Sequence, residues 1–349
     1  MVVSRAPAGL LYNVIVMLQR RRLGGAGPVV SAVGLGCMGM SGLYGHADRA
    51  ESIATIHAAL DAGITLLDTG DFYGMGHNEL LIADALSSRG REQMLISVKF
   101  GAQRGPDGSW LGYDARPAAV KTALAYSLQR LRTDHIDIYR PARLDRHVPI
   151  EDTIGAIAEM VQAGHVRHIG LSEVGPDTIR RAAAVHPICD LQIEYSLISR
   201  GIERAILPTC RELDIGITAY GVLSRGLISG HYRADRGQAG RDVRRRMPRF
   251  QGENLDHNLA LVEELRTIAD AKAAAVAQIA FAWVLSRGED IVPLIGARRR
   301  DQLEEALGAL GLELRPEDLA RIERAVPPDA AAGDRYGAPQ MADLDSERR

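Results

Sequence analysis

The sequence has few aromatic residues and few cysteines. Only 5% of its 349 residues are Phe, Trp or Tyr, which argues against a surface that binds nucleic acid by base stacking. The three cysteines, Cys37, Cys189 and Cys210, are far apart and form no CxxC motif. An odd and sparse set of this kind is typical of reduced thiols in a cytosolic protein and not of a disulfide framework. We therefore expect a cytoplasmic protein.

The sequence also lacks an excess of either charge and a long hydrophobic run. The 42 Lys and Arg residues against 44 Asp and Glu residues give a net charge of −2, so no nucleic acid is expected as the main partner. The apolar run at residues 6–18 is too short to span a bilayer. Three arginines follow it at residues 20–22, whereas an export signal carries its positive charges before the apolar run. No membrane association is predicted.

Both ends of the chain differ in composition from the part between them. Residues 1–18 are predicted to be an N-terminal extension, either a real tail or a start-site extension with Met17 as the natural start. Residues 19–326 form the predicted domain. Residues 327–349 mix Pro, Ala, Gly and charged residues, so this C-terminal tail is expected to lack a packed core of its own.

Between the two ends, short apolar runs alternate with amphipathic helical patterns. The runs are four to six residues long and rich in Val, Ile and Leu, which is typical of strands buried on both faces of a parallel sheet. Strict alternation gives a parallel sheet, and eight strands favour closure into a (β/α)8 TIM barrel of the α/β class with a single domain. A hairpin at residues 19–31 is expected to plug the barrel bottom. The predicted strands are residues 33–37, 64–67, 94–98, 136–139, 166–171, 189–193, 215–219 and 291–295.

One short motif points to a different nucleotide fold and is not supported by its context. Residues 34–39 match the pattern GxGxxG, which binds a dinucleotide when a helix begins at its glycines. Here the next helix begins only at a capping box that runs from Asp48 to Glu51. A Rossmann fold is therefore not predicted.

Three chemically useful side chains fall at consecutive strand ends. Asp68 ends one predicted strand, Tyr73 lies in the loop that follows, and Lys99 ends the next strand. In a βα barrel these ends meet at the C-terminal rim, where active sites form. The Lys99 ammonium is expected to lower the pKa of the Tyr73 phenol, with Asp68 holding the ammonium. Taken one by one, the three residues would instead be a turn cap, a loop aromatic and a rim charge.

The arrangement of these residues along the chain resembles the motifs of the aldo-keto reductase superfamily. The pattern of Asp68, Tyr73 and Lys99 is joined by further motifs, and the match runs over residues 23–326. The resemblance implies a (β/α)8 barrel that binds NADPH without a Rossmann motif, with Tyr73 as proton donor tuned by Lys99 and Asp68. The further motifs are Gly170-Leu171-Ser172, the stretch from Gln192 to Leu197, the stretch from Ala219 to Gly226, and the stretch from Ile295 to Arg299.

The resemblance also implies a set of cofactor-binding residues. Ser172 and Gln192 would lie near the nicotinamide carboxamide and Tyr220 under the ring, where an aromatic face fixes one side. Arg298 and Arg299 would face the 2′-phosphate from a helix start, although a solvated basic cap remains an alternative. The other implied positions are Leu223 and Arg225 along the pyrophosphate, Gly296 in the motif before the arginines, and Gln302 and Glu305 on the adenine side, with Ala306 departing from the family's usual Asn.

One departure from the family pattern affects the chemistry. The family usually has a His after the fourth strand, and this chain has Ala142 there. The hydrogen bond that orients a substrate carbonyl is therefore missing, with Arg140 or a water as possible substitutes. A branch that resembles pyridoxal reductases shares this pattern and has Ser-Glu where most members have Ser-Asn. Ser172 and Glu173 fit that branch, which makes pyridoxal a candidate substrate.

The sequence thus predicts an NADPH-dependent oxidoreductase that reduces an aldehyde or ketone by hydride transfer. The main alternative is a noncatalytic NADPH-binding regulatory subunit that resembles potassium-channel β subunits; an isomerase or lyase on the same barrel is another. A small carbonyl substrate is expected, and a homo-oligomer remains open. No metal site is predicted, because His165 and His168 have no ligand partner at zinc spacing.

Overall fold

Eight parallel strands form a closed barrel in this computed structural model, which describes residues 18–233 and 242–348. Around the barrel their order is β3, β4, β5, β8, β9, β10, β11 and β12, and β12 pairs back onto β3. The predicted (β/α)8 fold is confirmed. The strands are β1 (Arg20–Arg22), β2 (Val29–Ser31), β3 (Gly34–Gly36), β4 (Leu66–Gly70), β5 (Leu95–Phe100), β6 (Ala102–Arg104), β7 (Trp110–Tyr113), β8 (Ile136–Pro141), β9 (Val166–Ser172), β10 (Ile188–Glu194), β11 (Gly216–Tyr220) and β12 (Ile291–Gly296).

Helices cover the outside of the barrel and connect its strands. Asp48 caps the first helix and accepts a hydrogen bond from the Glu51 N–H at 2.7 Å. The Glu51 side chain contacts Arg300 instead of returning to Asp48, so only half of the predicted capping box forms. In the described part of the chain the helices are α1 (Arg49–Asp61), α2 (His77–Leu86), α3 (Pro117–Leu131), α4 (Ile150–Gln162), α5 (Pro176–Val185), α6 (Ile206–Glu212), α7 (Gly252–Ala271), α8 (Val276–Leu285), α9 (Arg300–Leu307), α10 (Pro316–Ala325) and α11 (Ala338–Ala342).

The N-terminal hairpin closes the barrel bottom, as predicted. β1 and β2 pair antiparallel, and Leu23 and Val30 are buried against the lower barrel residues Leu66, Ile138 and Val292. The GxGxxG stretch forms β3 and a short 3-10 helix, and α1 follows it only at Arg49. The helix start that dinucleotide binding needs is therefore absent from this described stretch.

The C-terminal segment packs on the barrel. It has no core of its own, but the Arg335 and Leu344 side chains are buried against the domain, and α11 lies within it. The predicted N-terminal extension lies almost entirely outside the described residues. Across residues 18–233 and 242–348, no single helix is long and apolar enough to cross a membrane; α7 and α8 meet that test only together, across an 87° bend.

The segment after β11, for which the sequence pattern predicts a long loop to about Asn254, contains short helical turns. Two of these turns are Ser224–Ser229 and Val243–Arg246. α7 begins at Gly252, earlier than the helix at residues 258–272 that the sequence pattern predicts. The hairpin formed by β6 and β7 follows β5, and its Trp110 is 43% exposed.

Candidate active site

Strand pairing brings Asp68 and Lys99 into direct contact at the C-terminal rim. Lys99 Nζ lies 2.6 Å from Asp68 Oδ1, and both side chains are buried. Asp68 Oδ2 accepts two further hydrogen bonds, from Ser97 Oγ at 3.1 Å and from Gln192 Nε2 at 2.6 Å. Three donors therefore fix one buried carboxylate, which in turn fixes the ammonium.

Tyr73 lies beside this ion pair, in the loop after β4. Its side chain is buried, and Lys99 Nζ is 5.0 Å from the centroid of its ring. Burial raises the pKa of Tyr73 well above 10, the charge of Asp68 raises it further, and Arg143 lowers it. The net lowering of this pKa that the sequence predicted is not found, because burial of the phenol outweighs the nearby positive charges. Tyr73 is therefore a protonated phenol at neutral pH.

The position of the missing histidine is filled by a small buried residue. Ala142 is 2% exposed and follows β8 directly. Arg140, which the sequence offered as a substitute donor, lies inside the barrel, where its Nη1 is 3.0 Å from Asp190 Oδ2 and its Nη2 donates to Ser97 Oγ at 3.0 Å. The fully buried Arg140 guanidinium is therefore engaged by Asp190 and Ser97 inside the barrel. Arg143, which the sequence analysis passed over, is the arginine whose charge acts on Tyr73.

Three residues predicted for the nicotinamide side lie on neighbouring strands. Gln192 on β10 pairs with Ser172 on β9, and Glu194 pairs with Tyr220 on β11. Their side chains contact protein groups: the Gln192 amide donates to Asp68, and Tyr220 Oη donates to Glu173 Oε1 at 2.6 Å. The strand register thus gathers these groups at the rim beside Asp68.

Two buried glutamates and two arginines border this side of the site. Arg335 from the C-terminal segment donates to Glu173 Oε1 at 2.9 Å and to Glu173 Oε2 at 2.6 Å. Its Nη1 also lies 3.3 Å from Glu194 Oε2. Arg225 contacts the same carboxylate at 3.0 Å and lies over the ring of Tyr336. Arg335 and Tyr336 were not predicted as site residues, because a residue in a C-terminal tail gives no sequence signal of its distant partner.

The residues predicted for the adenosine side gather where β12 ends and α9 begins. Arg298 Nη1 donates to the carbonyl oxygen of Tyr44 at 3.0 Å and to that of Gly45 at 3.2 Å. Arg299 precedes α9 and pairs with Asp301 at 2.9 Å on an exposed surface. Gly296 ends β12, Gln302 Oε1 accepts from the Arg298 N–H at 3.2 Å, and Glu305 lies 2.8 Å from His231.

An unsatisfied polar atom lies in the loop between these two groups. Ser224 Oγ is buried and has no hydrogen-bond partner within the described residues. Ser224, Arg225 and Gly226 have positive φ angles of 45°, 58° and 90°, and Leu223 comes just before them. A buried hydroxyl without a partner costs free energy, so this loop suits a polar ligand such as a phosphate group.

Comparisons with known proteins agree with this geometry. A model of the aldo/keto reductase family matches residues 32–327. The "Probable aldo-keto reductase 1" of Glycine max is 43% identical over 322 residues, which cover 91% of this chain and 92% of that protein.

Solved structures of the same family superpose on most of the chain. The glycerol dehydrogenase AKR11B4 from Gluconobacter oxydans has a TM-score of 0.80 at 29% identity, covering 88% of this chain and 94% of its own. The holo form of the aldo-keto reductase AKR11C1 from Bacillus halodurans has a TM-score of 0.73 at 27% identity, covering 91% and 98%.

Proposed function

The chain belongs to the aldo/keto reductase family, and from this premise we propose that it is a cytoplasmic NADPH-dependent enzyme that reduces an aldehyde or ketone to the alcohol. The observation that carries the proposal is the buried pair of Asp68 and Lys99 beside the buried side chain of Tyr73. When bound, the cofactor supplies a hydride to the carbonyl carbon. The Tyr73 phenol transfers its proton to the carbonyl oxygen as the C=O electron pair moves onto that oxygen.

After this proton transfer, the Lys99 ammonium stabilises the Tyr73 phenolate. The phenolate that remains is buried, and a buried anion is costly without a charge partner. Lys99 Nζ, held by Asp68, is 5.0 Å from the Tyr73 ring and offsets that charge. A proton from solvent then restores the phenol.

The donors at the site suit a nicotinamide dinucleotide. Ser172 and Gln192 offer a hydroxyl and an amide to a carboxamide, and the ring of Tyr220 offers an aromatic face. Ser224 Oγ, buried without a partner among the described residues, suits a pyrophosphate oxygen. These groups support cofactor binding and do not by themselves distinguish NADPH from NADH.

The arginines before α9 support the choice of NADPH. Arg299 is paired with Asp301 in an exposed contact, and exposed pairs of this kind contribute only about 0–1 kcal/mol. A phosphate at the start of α9 would therefore compete with Asp301 for Arg299. Arg298 is less free than Arg299 to contact a phosphate, because its guanidinium already donates hydrogen bonds to the carbonyl oxygens of Tyr44 and Gly45.

Nucleotide titration tests this choice. Each charged hydrogen bond contributes about 1.5–3 kcal/mol, so changing Arg298 and Arg299 together to Ala should weaken NADPH binding about tenfold or more and NADH binding little. Arg300→Ala is the matched control, because Arg300 contacts Glu51 on α1 and should leave both affinities unchanged. Equal losses for both nucleotides in the double variant would contradict the preference for NADPH.

Turnover tests the reaction. Wild-type protein loaded with NADPH is mixed with a panel of aldehydes and ketones that includes pyridoxal, and oxidation of the bound nucleotide is followed in a single turnover. Tyr73→Phe should lower the rate about 10²–10⁴-fold with NADPH affinity unchanged. Tight NADPH binding without oxidation by any carbonyl in the wild type would favour the noncatalytic regulatory subunit, which the buried Ala142 makes the second candidate.

A further inference from the structure

Arg143 is the first residue beyond the missing histidine position, and its guanidinium faces the site. Nη1 donates to the carbonyl oxygen of Ala142 at 2.6 Å. Two further contacts are long: Nη1 to Ser172 Oγ and Nη2 to Tyr336 Oη are both 3.5 Å. One short bond therefore anchors the group, while the 3.5 Å contacts are at the limit of hydrogen bonding and leave its other N–H groups available.

In the described part of the chain Arg143 forms no ion pair, unlike the other arginines at the site, although it interacts over a longer distance with the charge of Glu173. Arg140 pairs with Asp190, Arg225 with Glu194, and Arg335 with Glu173. Over residues 18–233 and 242–348, no carboxylate oxygen lies within 4.0 Å of the Arg143 guanidinium. This positive charge is thus available to an anion or to an oxygen that becomes negative.

The charge of Arg143 reaches the reacting groups as well as its neighbours Glu173 and Tyr113. Arg143 lowers the pKa of Tyr73, of Lys99 and of Tyr220. A carbonyl that takes its proton from Tyr73 must place its oxygen within hydrogen-bond distance of the phenol. That oxygen would then lie in the field of Arg143.

We propose that Arg143 replaces the absent histidine as the second hydrogen-bond donor to the substrate carbonyl oxygen. This inference rests on the proposed function. As hydride adds to the carbonyl carbon, negative charge develops on the oxygen, and the guanidinium stabilises it until the Tyr73 proton has moved across. Arg143 keeps its own protons throughout, because its pKa lies far above neutral. A preorganised donor of this kind contributes about 10²–10³ in rate.

Arg143→Met tests the proposal, because methionine keeps much of the side-chain length and removes every donor. We expect kcat for the best aldehyde in the panel to fall about 10²–10³-fold, with the Kd for NADPH within threefold of wild type. Arg146→Met is the matched control: Arg146 is in the same loop, is 41% exposed and lies 3.8 Å from Asp343, so its kcat should stay within twofold. A kcat for Arg143→Met within threefold of wild type would overturn the proposal.

Chemical rescue separates a lost donor from a lost structural contact. In Arg143→Ala, added guanidinium ion at tens of millimolar should raise kcat about tenfold or more by entering the space that the side chain leaves. Arg146→Ala should not respond. A low kcat in Arg143→Ala that guanidinium does not raise would mean that Arg143 only supports the loop, and the assignment would be wrong.

The result for the wild-type protein distinguishes a failure of the role of Arg143 from a failure of the proposed function. If wild-type protein oxidises bound NADPH with an aldehyde and Arg143→Met does so equally well, only the role of Arg143 fails. If wild-type protein oxidises NADPH with none of the carbonyls, the proposed function fails, and the role of Arg143 fails with it.

Discussion

The buried contact between Arg335 and Glu173 should be one of the largest single contributions to stability in the C-terminal segment. Arg335 makes two hydrogen bonds to the Glu173 carboxylate, at 2.9 and 2.6 Å, and both side chains are buried. Arg335→Met would leave Glu173 without its principal cation, whereas Glu194 would keep Arg225. Leaving one buried charge uncompensated costs about 3–5 kcal/mol, so the free energy of unfolding at pH 7 should fall by that amount.

The pH dependence of this loss has a definite sign. Burial alone would raise the pKa of Glu173, but Arg335, with Arg143 and Tyr220, holds it well below its ordinary value of 4.5. In wild type the carboxylate therefore stabilises the fold above pH 4.5, and this stabilisation is lost as the pH falls through the lowered pKa. In Arg335→Met, burial raises the pKa, and protonation of Glu173 relieves the penalty in acid. The difference between the two proteins should shrink as the pH falls toward 4.5.

Urea unfolding of both proteins at pH 7 and pH 4.5 measures this difference. Arg204→Met is the control, because it removes an exposed ion pair with Asp329 of the same C-terminal segment and should cost only about 0–1 kcal/mol. A loss below about 1 kcal/mol for Arg335→Met, or an equal loss at both pH values, would refute the reasoning.

Three further results are expected. Asp48→Ala should destabilise the protein by about 0.5–2 kcal/mol, because it removes the hydrogen bond from the Glu51 N–H at the start of α1. Thermal or urea unfolding measures this loss, and no change would mean that this end of α1 is already frayed. Ala142→His should lower turnover with aldehydes, because Ala142 is 2% exposed and placing a larger side chain in a packed site destabilises it by about 1–3 kcal/mol. A higher turnover in this variant would show that the site has room for the imidazole ring. All three cysteines are buried and have raised pKa values: Cys37, Cys189 and Cys210. None should react with a thiol reagent at pH 8 until urea unfolds the protein. A rapid reaction of the folded protein would contradict their burial.

The barrel was predictable from the sequence because its strands are short apolar runs at regular intervals. The strand ends were less predictable. The apolar run at residues 64–67 predicted a strand that ends on Asp68, yet β4 is Leu66–Gly70. Polar residues extend the strand there because the neighbouring β5 supplies both backbone pairing and buried side-chain partners for Asp68.

The position of the C-terminal segment was not predictable, and the reason is physical. Its composition, rich in Pro, Ala, Gly and charge, predicts only that the segment lacks a packed core of its own. The contact of Arg335 with Glu173 joins residues 162 positions apart. No local periodicity encodes such a pair, because only the closed barrel brings the loop after β9 to the surface on which the segment lies.

The two arginines near Ala142 show where sequence reasoning had an unused signal and where it had none. Side chains alternate between the two faces of a strand, and Ile138 on β8 belongs to the cluster at the bottom of the barrel. Arg140 is two residues further along the same strand, so alternation alone directs it into the barrel interior toward Asp190, as observed. Arg143 lies two residues beyond the strand end at Pro141, where alternation no longer applies. Its direction is set by the bond to the carbonyl oxygen of Ala142, a contact that depends on the loop geometry and not on the strand pattern.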